Sequence, residues 1–140
     1  MFKKILVPVD GSEGGWKALE TAKEIAQKFG ANLIVLTVVQ RFAGAALAPI
    51  AVDGNAMNGQ MNEIAQGISD AANEKVGALA TEYVTSVGRP SKAIVNEAKE
   101  KGADLIVIGS RGLSGFAEFF LGSVSSEVAQ LCNVPVLIVK

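Results

Sequence analysis

Histidine is missing from this 140-residue chain, and cysteine, tryptophan and tyrosine occur once each. Without histidine no Ser-His-Asp or Cys-His relay can be assembled, and the common histidine-containing zinc sites are excluded too. Cys132 alone cannot close an intrachain disulfide. It follows Val128 and Leu131 at the end of a helical pattern, the setting of a small buried hydrophobe rather than a nucleophile. Carboxylates are scattered: Asp10, Asp53, Asp70 and Asp104 show no paired spacing, so no residue is assigned as catalytic or as a metal ligand. A net charge of -1 lacks the broad positive field that holds nucleic acid. No apolar run reaches transmembrane length, and the N-terminus enters a strand pattern without a signal-peptide layout. The expectation is a cytoplasmic protein with no membrane or nucleic-acid partner, whose chemistry rests on backbone amides, hydroxyls and isolated charges.

What is present is apolar. Hydrophobic residues make up 49% and charged residues 19%, enough for a sizeable core in one domain spanning 1–140. Ile5 to Val9 reads as a first strand, ending in Pro8-Val9-Asp10-Gly11-Ser12 with Ser12 as a helix cap. Trp16, Leu19, Ala22, Ala26 and Phe29 then recur at helical spacing until Gly30, and Leu33 to Val39 is a second apolar strand. Continuous apolar strands separated by a helix signal a parallel βαβ unit. Residues 40–62 hold no period, are rich in alanine and glycine, and carry only Arg41 and Asp53 as charges. They read as a long flexible connection, a lid or binding loop or a disordered segment. Helical character resumes near Met61 and runs through Ile64, Ile68, Ala71, Ala72 and Val76; Glu82 to Val87 follows as an edge strand. Ser91 is expected to cap a helix with Ile94, Val95 and Ala98 inward, ended by Gly102. Leu105 to Ile108, a helix from Ser123 to Leu131, and Val134 to Val139 complete five strands alternating with helices.

The stretch from Asp104 to Ser126 is the most specific. An apolar strand empties into Gly109, Gly112 follows, and Gly122-Ser123 opens the last helical pattern with Ser123 placed as its cap. Glycine lets a ligand approach bare backbone, and a helix N-terminus favours an anion. Two readings fit the local pattern: a phosphate-binding surface, or two tight turns with a cap between them. In an open parallel sheet ligands sit beyond the carboxyl ends of the strands, where strand order reverses. If the strands ending at Asp10 and Gly109 are neighbours there, Asp10, the Gly109–Gly112 turn and the Ser123 helix converge on a nucleotide. Other templates fit less well. DGSEGG is not G-x-G-x-x-G, nothing matches the P-loop, and the clustered acids of a receiver domain are missing.

Gly109-x-x-Gly112, nine residues, then Gly122-Ser123 resembles the G-x-x-G-(nine)-G-[ST] nucleotide motif of the universal stress protein family. KKILVPVDGS, GADLIVIGSRG and VPVLIVK resemble the same family at its first, fourth and fifth strands, so the likeness spans the chain. The resemblance implies an α/β fold, a single doubly wound domain with a five-stranded parallel sheet in order 3-2-1-4-5 and helices on both faces. It implies ATP as ligand, with Mg²⁺ held mainly by the phosphates. Pro8 and Asp10 would border the adenosine, Val38 would contact the adenine, and Gly109, Gly112, Gly122 and Ser123 would hold ribose and phosphates. Arg111 would either neutralise phosphate or face water. A homodimer through the C-terminal strand Val134–Val139 is implied, and a further protein partner is open. The stretch from Gly59 to Val87 is shorter than in many relatives, which predicts a truncated second helix or third strand. An ATP-binding regulatory protein leads. A dimer acting through association with a vestigial cleft and a slow ATPase or phosphotransfer enzyme are the alternatives, with slow or no hydrolysis expected.

Overall fold

A computed structural model describes residues 1–40, 54–110 and 122–140. The strands are β1 (Lys4–Pro8), β2 (Asn32–Val39), β3 (Thr81–Val87), β4 (Leu105–Gly109) and β5 (Val136–Val139). Between them run the helices α1 (Glu13–Phe29), α2 (Gly54–Val76), α3 (Pro90–Lys101) and α4 (Ser123–Leu131). All pairings are parallel and the order is β3-β2-β1-β4-β5, as the resemblance implied.

Alternation along the central strands explains why their sequences are apolar throughout. Ile5, Val7, Leu33, Val35, Leu105 and Val107 face α1 and α2, where Ala18, Leu19, Ala22, Ala72 and Val76 pack. Leu6, Ile34, Leu36, Ile106 and Ile108 face α3 and α4, against Ile94, Ala98 and Val128. Both faces are covered, so neither parity can be polar. The edge strand β3 has no fully buried residue, which accounts for its mixed composition.

Several expectations are corrected. The segment read as a connection over 40–62 is helical from Gly54 onward; residues 41–53 lie outside the described residues. Gly54, Gly59 and two asparagines are weak helix formers, but adding a turn to an existing helix is far easier than starting one. With that upstream extension α2 has 23 residues, and β3 has 7. The buried line of α2 runs through Ala65, Ala72 and Val76, leaving Ile64 64% exposed. Phe29 stands in the open at the end of α1, edge-on to Phe2 with ring centroids 5.4 Å apart. The last strand begins at Val136 rather than Val134, since Pro135 contributes only its carbonyl, which accepts from the Ile106 N–H. Ser12 and Gly30 cap α1 as expected, and Gly102 ends α3. Arg89, not Ser91, is the N-cap of α3, because Pro90 has already taken the first helical position.

Candidate functional site

The carboxyl ends of β1 and β4 lie side by side, and the chain leaves them in different ways. After Asp10, Gly11 takes φ 87°, a left-handed conformation that turns the chain into α1. Asp10 Oδ1 accepts from the Ser12 N–H at 3.0 Å and from the Ser12 hydroxyl. The Ser12 oxygen in turn accepts from the Gly15 N–H at 3.2 Å. A carboxylate is thereby held at the start of a helix, where the dipole favours negative charge.

β4 meets the same helix by close approach. A Cβ on Gly109 would lie 2.7 Å from the carbonyl carbon and oxygen of Gly14, inside contact distance. The hydrogen of Gly109 is therefore needed for packing against α1, whatever ligand the neighbouring groups take. Next, Ser110 donates its N–H to the Val139 carbonyl at 2.8 Å. Its own carbonyl accepts from the Gly122 N–H at 2.6 Å and from the buried Ser125 hydroxyl at 3.3 Å. These bonds seat the start of α4 against the end of β4.

Gly122, not Ser123, is the N-cap of α4, and Ser123 is its first helical residue. Glycine has no side chain to accept from the helix, so no side-chain cap is made there. The first N–H groups of a helix have no partner within it. Ser123, Val124 and Ser125 supply them here, and all three line a cleft of about 410 Å³ above the sheet. Pro8, Asp10, Val38, Gly109, Gly122 and Ser123 also line this cleft, so six of the expected residues come together. Arg111 and Gly112 lie outside the described residues.

Sequence reading missed part of the wall. Leu36 and Ile108 form apolar floor, while Pro90 and Ile94 bring α3 to the rim. The available signal was topological: in a parallel sheet every helix following a strand begins at the carboxyl end, so the Gly88-Arg89-Pro90 turn belongs there. The α3 and α4 side is also cross-braced. Glu127 on α4 accepts from Ser91 through one carboxylate oxygen and from Arg89 through the other, the latter at 2.7 Å. The Ser91 hydrogen bond, followed by the Arg89 charge, holds the Glu127 carboxyl below its ordinary range.

Asp10 is the sole ionisable side chain among the described residues lining the cleft. The described residues contain no group of three or more histidine, cysteine or acidic side chains suited to a metal ion, and no helix long and apolar enough to cross a membrane. The arrangement offers an apolar floor, a carboxylate on one side and the first turn of α4 on the other. It can hold a molecule with a flat apolar part and an anionic tail.

Comparison with known proteins gives a consistent result. The model of the universal stress protein family matches residues 1–140. The universal stress protein YxiE of Bacillus subtilis is 39% identical, with 100% of both chains covered. The solved structure of MJ0577, a universal stress protein of Methanocaldococcus jannaschii, is 30% identical with a TM-score of 0.86, covering 100% of this chain and 96% of that one. A universal stress protein solved in complex with cAMP is 30% identical with a TM-score of 0.72, covering 99% and 97%.

Proposed function

The chain belongs to the universal stress protein family, and on that footing we propose that it is a stress-response regulator whose cleft binds ATP. The N-terminus of α4 carries this reading, because its first residues, Ser123 to Ser125, line the cleft beside Gly122, which makes no side-chain cap. The base and sugar lie on the β1 and β2 side, with Pro8 and Asp10 bordering the adenosine and Val38 against the adenine. Gly109, Gly122 and Ser123 form the ribose and phosphate side, to which the motif in the sequence adds Gly112, with Arg111 either neutralising phosphate or facing water. The cAMP complex of a relative supports an adenine nucleotide in this fold. One carboxylate, with an oxygen already engaged by Ser12, is a thin metal site. Mg²⁺ is therefore held mainly by the phosphates of the nucleotide.

The nucleotide acts as a bound signal, with slow or no hydrolysis, since Asp10 has no partner acid or base among the described lining residues. The protein works in the cytoplasm as a homodimer joined through β5. Calorimetric titration of nucleotide-free protein with ATP and Mg²⁺ tests the reading: saturable binding of one nucleotide per chain is expected, and a flat titration of folded protein rejects it. A protein that acts through association alone is the second reading, favoured by the exposed edge at Leu137. It predicts that flat titration together with an intact dimer.

A further inference from the structure

α4 is short, and its orientation is set from outside. Its nine residues make about two and a half turns, too few for an isolated helix to hold itself. Only Ser125 and Val128 are buried along it. Val124 packs against the same core from its partly buried position, and two sets of hydrogen bonds add to this packing. At the N-terminus, Ser110 takes the Gly122 N–H and the Ser125 hydroxyl. One turn further on, Glu127 reaches α3, where Arg89 and Ser91 flank Pro90.

The second attachment has the features of a brace. Both carboxylate oxygens are engaged, by donors on either side of a proline whose ring fixes its backbone. Ser91 is 2% exposed, so its hydroxyl is a fixed point rather than a mobile surface group. Pro90 itself lines the cleft. Ser123 and Glu127 are four residues apart and therefore share a face of α4. A tilt of the helix about its Ser110 seat moves Glu127 and redirects the amides of Ser123 to Ser125.

We propose that Glu127, clamped between Arg89 and Ser91, is a positioning residue that sets the angle of α4 and so aims its N-terminal amides at the phosphates of the bound nucleotide. This rests on the ATP reading above and adds a residue outside the cleft. The brace acts on the phosphate side alone, because Pro8, Asp10 and Val38, which border the adenosine, stand on other elements.

The test compares ATP with adenosine, both titrated with Mg²⁺ present, into wild-type protein, Glu127→Ala, Glu127→Gln and Arg89→Met. In Glu127→Ala, ATP affinity falls about tenfold, the scale of one charge-assisted hydrogen bond, while adenosine affinity stays within about twofold. Glu127→Gln keeps one acceptor oxygen and recovers part of the loss. Arg89→Met removes only the solvent-facing arm and costs ATP about threefold. It also decides the matter if Glu127→Ala fails to fold, as judged by circular dichroism. Equal weakening of both ligands would mean general loosening and overturn the positioning role, as would unchanged ATP affinity in the folded variants. Wild-type protein that binds neither ligand removes the nucleotide reading itself, and that single titration separates the two failures.

Discussion

At Gly109 the hydrogen in place of a Cβ makes room for main chain: the first turn of α1, with Gly14 closest. At Gly122 the same absence leaves a helix without a cap, and its φ of -60° and ψ of 152° are open to any residue. The two glycines of one motif therefore answer to different demands, and substitution separates them. Gly109→Ala forces β4 and α1 apart and lowers unfolding stability by about 2 kcal/mol, measured by urea denaturation. A stability equal to wild type would show that α1 yields freely. Gly122→Val keeps the wild-type unfolding midpoint but places a branched side chain where the phosphate approaches. Its ATP affinity falls about tenfold or more. Retained affinity would move the phosphates away from α4. The motif spacing made both positions visible in the sequence, whereas nothing in the sequence set Glu127 apart. Its partners Arg89 and Ser91 are 38 and 36 residues away, and only the packing of α3 on α4 reveals the contact.

Elements were legible to the degree that burial is reflected in composition. β1, β2 and β4 are apolar on both faces, and short runs of that kind between helical patterns point to strands covered on both sides. Ser12, Gly30 and Gly102 were readable because their chemistry is local. The start of α2 was not, because its first turns are built from glycine and asparagine and follow no apolar period. The caps at Arg89 and Gly122 were misplaced for a related reason: serine is a good cap, but it takes that role only when the preceding residue stays outside the helix. Pro90 and Gly122 moved the boundary one or two residues upstream. Glycine inside α2 leaves a simple mark on stability. Gly67 has nothing within 4 Å of where a Cβ would sit and does not use a positive φ. Gly67→Ala should raise stability by about 0.5–1 kcal/mol in thermal or urea unfolding. A destabilised variant would indicate an unseen contact on that face.

Across the molecule, the two sheet edges are unequal. β3 carries Glu82 facing outward, bridged to Lys101, which discourages a further strand from pairing there. β5 has no charge along Val136–Val139, and Leu137 is 39% exposed, so this edge calls for cover. The proposed homodimer supplies it. Sedimentation at micromolar concentration should give about twice the 14.5 kDa chain mass, and Leu137→Lys should return the monomer. A wild-type monomer, or a variant that still pairs, would count against β5 as the contact.

The central position of β1 also dictates an order of events during synthesis. β1 pairs on one side with β2, close behind it, and on the other with β4, so that Ile5 stands opposite Leu105. Asp104 completes the join by accepting from the N–H groups of Lys3 and Lys4. At ribosomal speeds, roughly 4–14 s pass between completion of β2 and completion of β4. Throughout that interval the nascent chain can form its N-terminal strands with one side of Ile5–Val7 unpaired, presenting three residues that are fully buried in the finished fold as an open edge. Chaperone capture during translation would therefore concentrate on chains that have not yet emerged as far as Gly109.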